Sequence, residues 1–153
     1  MSATGLEVFD KTLQTTNIWL DELMENLGPD RRFAWHTLGA VLRTLRDRLP
    51  LGLSAHLGAQ LPLLVRGLYY DQWQPSEQPK RWRSNEEFFA MISGALSDTR
   101  PVDPAAAARA VFQVIDHFID PAQVANVRQA LPEDVRRLWP EGRREDSADQ
   151  TAA

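Results

Sequence analysis

The sequence predicts an all-α protein of about eight helices in two quasi-equivalent halves, packed as one compact bundle or a short superhelix. The first observation is an internal repeat, because a shift of 70 positions places the second half of the chain on the first. The second is the helical spacing of apolar residues in nearly every segment. The third is the placement of prolines and capping residues where helices should begin or end. Repetition at a fixed period indicates one structural unit used twice.

The aligned positions are mostly apolar, so the repeat indicates a shared core. The shift aligns Leu61-Pro62 with Leu131-Pro132, Val65-Arg66 with Val135-Arg136, Leu68-Tyr69 with Leu138-Trp139, Val41 with Val111, Leu42 with Phe112, Leu45 with Ile115 and Leu49 with Ile119. A slip of one residue places Trp19, Leu23 and Leu27 on Phe88, Ile92 and Leu96.

Helix-start signals divide each half into four helices. Thr4 with Glu7 and Ser84 with Glu87 fit the capping box and should open the first helix of each half. Gly28-Pro29 should end the first of these helices.

The second helices should begin near Asp30 and at Asp103-Pro104, where an N-cap residue precedes the helix. We expect the third helices near Ser54 and at Asp120-Pro121. The Pro62 and Pro132 breaks should open the fourth.

The fourth helix of the first half should be buried between the halves. From Leu63 to Trp73 it has almost no polar face, and a helix that is apolar all round is normally covered on several sides. Its counterpart, Val135 to Trp139, is short and charged on one side. Single glycines at Gly39, Gly58 and Gly67 suggest close helix–helix approaches, because each costs a helix about 1 kcal/mol relative to alanine.

Domain boundaries follow from the same pattern. Residues 1–4 should be a flexible N-terminus and residues 5–140 one helical domain. Within it we expect repeat one at 5–73, a proline-containing linker at 74–83 and repeat two at 84–140. Residues 141–153 contain no large apolar side chain and should form a disordered tail.

Composition narrows the function classes. The chain has no cysteine, which excludes disulfides and thiolate metal sites and suits a reducing cytoplasm. It shows neither a secretory signal nor a run long enough to span a bilayer. The net charge of −4 argues against a dedicated nucleic-acid binder. We find no catalytic motif or metal-ligand spacing, and we therefore expect a protein that is not an enzyme and that uses no cofactor or metal.

The densest aromatic group is the candidate interaction surface. Aromatic side chains anchor many protein interfaces, but they also fill cores, so the group could instead plug the junction between the repeats. Its members are Tyr69, Tyr70, Trp73 and Trp82.

A basic group is the second candidate. It could meet phosphate or an acidic partner, or it could be an ordinary solvated helix face. Its members are Arg32, His36, Arg43 and Arg46 on the second helix, and Lys80, Arg81 and Arg83 in the linker.

Four stretches resemble a bacterial family known as domain of unknown function 2267. They are Ala34-Trp35-His36 with Leu42 to Pro50 (LRTLRDRLP), Leu57 to Pro62 (LGAQLP), Arg66 to Trp73 (RGLYYDQW) and Ala130-Leu131-Pro132. The resemblance covers about residues 6–140. It implies a soluble all-helical protein with repeated halves, and it transfers neither an activity nor a catalytic residue.

These observations favour a cytoplasmic interaction module that binds an unknown protein or forms a homodimer. Two alternatives remain open. One is nucleic-acid binding through the arginine stripe, and the other is a helical-bundle pocket for a small ligand or metal.

Overall fold

The structure is a computed structural model, and it describes residues 2–141. All regular secondary structure in this part of the chain is helical, with no strand. The helices are α1 (Glu7–Leu27), α2 (Arg31–Arg48), α3 (Leu51–Gln60), α4 (Leu63–Tyr70), α5 (Asn85–Ala95), α6 (Pro104–Phe118), α7 (Pro121–Gln129) and α8 (Glu133–Arg136), with one 3₁₀ turn at Pro75–Glu77.

The two halves interlock across an approximate twofold relation. Helix α2 packs against its counterpart α6, and α3 packs against its counterpart α7. Helix α1 crosses to contact α6 of the other half, while α5 crosses to contact α2. Because both first helices reach over to the opposite half, the fold is one compact bundle with one shared core.

The residues that the repeat aligns are the residues that fill this core. Leu42, Leu45, Phe112 and Ile115 are each 0% exposed. Trp139 stacks on Phe112 with 4.2 Å between ring centroids. The repeat therefore preserves buried positions, as the sequence indicated.

Three of the four predicted N-caps are confirmed. Side-chain oxygens of Asp30, Ser84 and Asp103 accept backbone N–H bonds at the starts of α2, α5 and α6. The Thr4–Glu7 box is wrong. The N-cap of α1 is Leu6, and the Thr4 hydroxyl bonds to the Asp10 carboxylate, one turn further along than Glu7.

The start of α3 also differs from the prediction. It begins at Leu51, directly after Pro50, and Ser54 lies inside the helix. Ser54 is fully buried, and its hydroxyl donates to the Arg46 carbonyl at 2.7 Å, so the residue near which the helix was expected to start instead ties α3 to the end of α2. The predicted helix start at Asp120-Pro121 and the predicted breaks at Pro62 and Pro132 are confirmed.

The prediction that α4 lies buried between the halves is wrong. Its main contacts are with α1, α2 and α3 of its own half. Val65 and Tyr69 are buried, whereas Leu63 is 53% exposed and Leu64 is 39% exposed. The physical reason is that α2 and α6 already fill the junction, which leaves α4 on the outside.

Two of the three helix glycines mark close approaches. A Cβ on Gly39 would lie 2.9 Å from the Leu68 side chain, and one on Gly58 would collide with the Tyr70 ring. Gly67 is exposed with open space beside it, so the packing explanation fails there.

The linker is fastened to the end of α2. The Lys80 amide donates to the Asp47 carbonyl at 2.6 Å, and the Arg48 side chain donates to the Trp82 carbonyl at 2.8 Å. The predicted tail, apart from Glu141, lies outside the described residues, and the domain boundaries stay predictions. No helix within residues 2–141 combines the length and the apolar character that crossing a membrane requires.

Candidate functional site

Two of the four aromatic candidates are buried and therefore cannot form an exposed interaction surface. Tyr69 is 0% exposed, its hydroxyl donates to the Ser54 carbonyl at 2.8 Å, and burial raises its pKa. Trp82 is 5% exposed and packs on Phe88, with 5.0 Å between ring centroids. The Arg48 guanidinium covers the Trp82 ring. Large aromatic surfaces gain most from burial, which explains why they joined the core.

Tyr70 and Trp73 are half-buried, and they pack the exit of α4 onto its surroundings. Their ring centroids lie 5.1 Å apart. The Tyr70 ring rests on Gly58 of α3, and the Trp73 indole donates to the Gln78 side chain at 2.7 Å. These contacts hold α3, α4 and the linker together within the first half, so Tyr70 and Trp73 do not plug the junction between the repeats.

The basic group divides into three separate places. Arg32 and His36 line a cleft of about 380 Å³ together with Arg100, near two aspartates. Lys80 pairs with Glu77 at 3.0 Å.

The remaining members lie in two places, namely the linker that also holds Lys80 and a second cleft. Arg81 and Arg83 are exposed on the linker. Arg43 and Arg46 belong to a different cleft, described below. The basic residues of α2 therefore do not form a continuous exposed stripe, because Arg46 is buried.

Arg46 is a buried cation, with its side chain 4% exposed. Its Nε donates to the Asp47 carboxylate at 2.8 Å. Its Nη1 donates to the carbonyls of Tyr69 at 2.7 Å and Asp71 at 2.9 Å, where α4 ends. Buried charges need such partners, because desolvation of an unpaired ion is costly. Arg46 thus replaces part of its lost hydration with the unpaired carbonyls of a helix end.

A cleft of about 390 Å³ lies between α2, α5 and the exit of α4. Arg43, Arg46 and Asp47 line it from α2, and Met91 lines it from α5. Gln72 closes it in a left-handed conformation with φ of 58°, a backbone state that residues other than glycine seldom adopt. We call this the α2–α5 cleft.

Sequence reasoning missed two glutamines beside this cleft. The Gln78 amide donates to the carbonyls of Arg46 and Leu49, both at 2.7 Å, and to the Ser54 hydroxyl. Gln78 therefore anchors the linker to the C-terminal end of α2. Neither Gln72 nor Gln78 stands out in the sequence, since their roles come from tertiary contacts and backbone conformation.

A surface of exposed apolar side chains lies where α1 and α4 begin. A groove of about 280 Å³ separates the two helices, with Val8 and Leu63 among its lining residues and buried Leu61 at the same place. We define the apolar patch as Val8, Phe9, Leu13, Leu63 and Leu64, which are 39–53% exposed.

The length of α1 explains the patch. Helix α1 runs for 21 residues and its counterpart α5 for 11. On a helical wheel, Phe9 and Leu13 continue the face that is buried further along at Thr16 and Leu20. Where α1 extends beyond the bundle, that face has no partner among the described residues. The sequence held one signal of this surface: the positions that align between the two repeats begin only at Trp19, so the first part of α1 has no counterpart in α5.

Among residues 2–141, no group of three or more histidine, aspartate or glutamate side chains is placed to hold a metal ion.

The fold and these surfaces define a class of protein, namely an all-α bundle built from two quasi-equivalent four-helix halves with a shared core. The family model described as "Uncharacterized conserved protein (DUF2267)" matches residues 16–138, and the chain belongs to this family. No curated protein matches the chain. The α2–α5 cleft lies within the matched range, whereas Val8, Phe9 and Leu13 precede it.

Proposed function

We propose that this protein acts as a non-enzymatic interaction module and that its first partner is a second copy of itself, bound through the apolar patch. The observation that carries the proposal is the unpartnered apolar face of α1. Five large apolar side chains from two adjacent helices are each at least 39% exposed. Large exposed apolar side chains that gather in one region of a protein surface often mark an interaction site.

The chemistry of the patch favours a second copy over an occasional partner. Homodimer interfaces are more apolar than transient ones, because they stay covered throughout the life of the protein. An apolar face that is always exposed needs a partner that is always present, and a second copy meets that condition. Twofold dimers are also the commonest soluble assemblies. As part of this proposal, the lack of cysteine supports a cytoplasmic location.

The experiment compares oligomeric state in three proteins by sedimentation velocity over a range of concentrations. The wild-type chain should approach twice its 17.3 kDa mass as concentration rises. The double variant Phe9→Ser/Leu63→Ser should remain a monomer. The matched control is Ile18→Ser, which removes an apolar side chain that is 46% exposed on a different face of α1 and should still dimerise.

Two results would count against the proposal. A wild-type chain that stays monomeric up to millimolar concentration would exclude the second copy as the partner. A double variant that dimerises like the wild type would show that the contact lies elsewhere. Circular dichroism of all three proteins shows whether a lost dimer reflects a lost surface or a lost fold.

A further inference from the structure

We propose that the α2–α5 cleft binds a small molecule that has an apolar body and a carboxylate group. This site is separate from the apolar patch, and the two share no residue. Its volume of about 390 Å³ falls within the range of small-molecule pockets.

The first argument is a free donor on a buried cation. Asp47 accepts a hydrogen bond from the Arg46 Nε, and the two carbonyls at the end of α4 accept from Nη1. Nη2 has no partner within residues 2–141, although the Arg46 side chain is 4% exposed and lines the cleft. Nη2 is not enclosed by the protein, so it faces the open space of the cleft, where an entering acceptor can reach its N–H groups. A carboxylate is the acceptor whose planar geometry matches a guanidinium best.

Arg43 supplies the second cation of the cleft. Its Nε donates to the Gly39 carbonyl at 3.0 Å, which holds the side chain along the helix. Its Nη1 lies 3.7 Å from the Asp71 carboxylate, longer than a hydrogen bond, and Asp71 is 61% exposed. An incoming carboxylate can therefore compete for Arg43 at little cost.

The rest of the lining is mixed, because Ala40, Met91 and Ala95 are apolar whereas Thr44 and Gln72 are polar. Ala40 lies seven residues before Asp47, which is about 10 Å along the axis of α2. Met91 and Ala95 of α5 form the facing wall. Arg46 and Asp47 therefore lie near the C-terminal end of α2, and Ala40 lies near its middle. A ligand with its carboxylate at Arg46 would place an apolar body against Ala40 and Met91.

The two cations of the cleft occur only in the first half of the chain. The repeat places Gln113 opposite Arg43, and Asp116 and His117 opposite Arg46 and Asp47, so the second half does not reproduce the two cations. The buried cation is therefore not a requirement of the four-helix unit.

The test is an NMR titration that follows the Arg46 Nε–Hε signal and the Met91 methyl signal. The probes are 4-methylpentanoate and L-leucine, which share the apolar carboxylate chemistry, and the uncharged methyl ester of 4-methylpentanoate. Saturable movement of both signals with either carboxylate, and none at Arg46 with the ester, is the expected result. The comparison of the two carboxylates shows whether the ligand carries an amino group.

A matched pair of variants locates the binding. Met91→Glu adds a negative charge to the cleft wall, and Met91→Gln adds a neutral group of similar size. We expect the carboxylate to bind the glutamate variant at least tenfold more weakly than the glutamine variant, as followed by the Arg46 signal. Equal affinity in the two variants would overturn the proposal, as would the absence of saturable shifts with both carboxylates. An Arg46 shift with the ester equal to that with the acid would also overturn it.

Discussion

Arg66 and Arg136 occupy equivalent positions in the two halves, and they make equivalent bonds. The Arg66 Nε donates to the Gly58 carbonyl at 3.0 Å, and the Arg136 Nε donates to the Arg128 carbonyl at 2.9 Å. Their Nη2 atoms donate to two further carbonyls each, and every acceptor in one half is 70 positions from its partner in the other. Each arginine therefore closes the C-terminal end of the third helix of its own half.

Arg46 has no such counterpart, because the repeat places Asp116 there. Arg46 also ties together the end of α4 and its neighbour Asp47 in the first half alone. The contrast separates two roles for the same residue type. Repeated arginines complete the helical framework, whereas the unrepeated one creates a buried charge beside a cleft.

The largest expected effect is at Arg46. Replacing it with leucine leaves the carbonyls of Tyr69 and Asp71 without their donor and Asp47 without its ion pair. We expect the free energy of unfolding to fall by about 3 kcal/mol or more, measured by urea denaturation. Arg81→Leu changes an exposed arginine and should alter stability by less than about 0.5 kcal/mol. Equal losses in the two variants would show that Arg46 is not a structural cation.

The second effect compares two glycines in adjacent helices. Gly58→Ala forces a Cβ into the Tyr70 ring, and overpacking of this kind should lower the free energy of unfolding by about 1–3 kcal/mol. Gly67→Ala meets open space and should instead stabilise the protein by up to about 1 kcal/mol through helix propensity. Thermal denaturation of both variants checks the opposite signs. If Gly58→Ala is also stabilising, α3 and α4 are not packed as closely as described.

The third effect tests the equivalence of the two halves. Arg66→Ala and Arg136→Ala each remove a set of charge-assisted bonds to helix carbonyls, and both side chains are partly exposed. We expect each to lower the free energy of unfolding by about 1–2 kcal/mol, with the two losses equal within about 0.5 kcal/mol. Urea denaturation under identical conditions provides the comparison. A large difference between the two would show that matched bonds do not carry matched energies in this fold.

Most of the framework could be predicted from the sequence. The aligned apolar pairs, such as Leu45 with Ile115, identified the core, because burial demands apolar residues at matched positions. Proline breaks such as Pro62 and Pro132 were readable since proline cannot continue a helix. The position of α4 could not be predicted from the sequence. Apolar composition indicates that a helix can be buried, but it does not indicate which neighbouring helix will cover it.

Less of the candidate site was predictable. Arg46 resembled a solvated arginine, since its burial depends on carbonyls 23 and 25 residues away. The exposed apolar residues of α1 were not predicted, because helical spacing cannot reveal where a bundle stops. Both failures concern tertiary contacts, for which a local pattern holds no information.

The smallest expected effect is a difference in stability loss between the two capping boxes that the sequence predicted, one at Ser84 and one at Thr4. The Ser84 side chain accepts the Glu87 amide at 3.2 Å, so Ser84→Ala should lower the free energy of unfolding by about 1 kcal/mol. Thr4 bonds to Asp10 at an exposed position and caps no amide of α1, so Thr4→Ala should change it by less than about 0.5 kcal/mol. Hydrogen exchange of the first-turn amides gives a local readout, because only the Glu87 amide should lose protection. Equal destabilisation by the two variants would show that Thr4 caps α1 as the sequence predicted. The first turn of α1, which carries part of the apolar patch, would then be held in place by that cap.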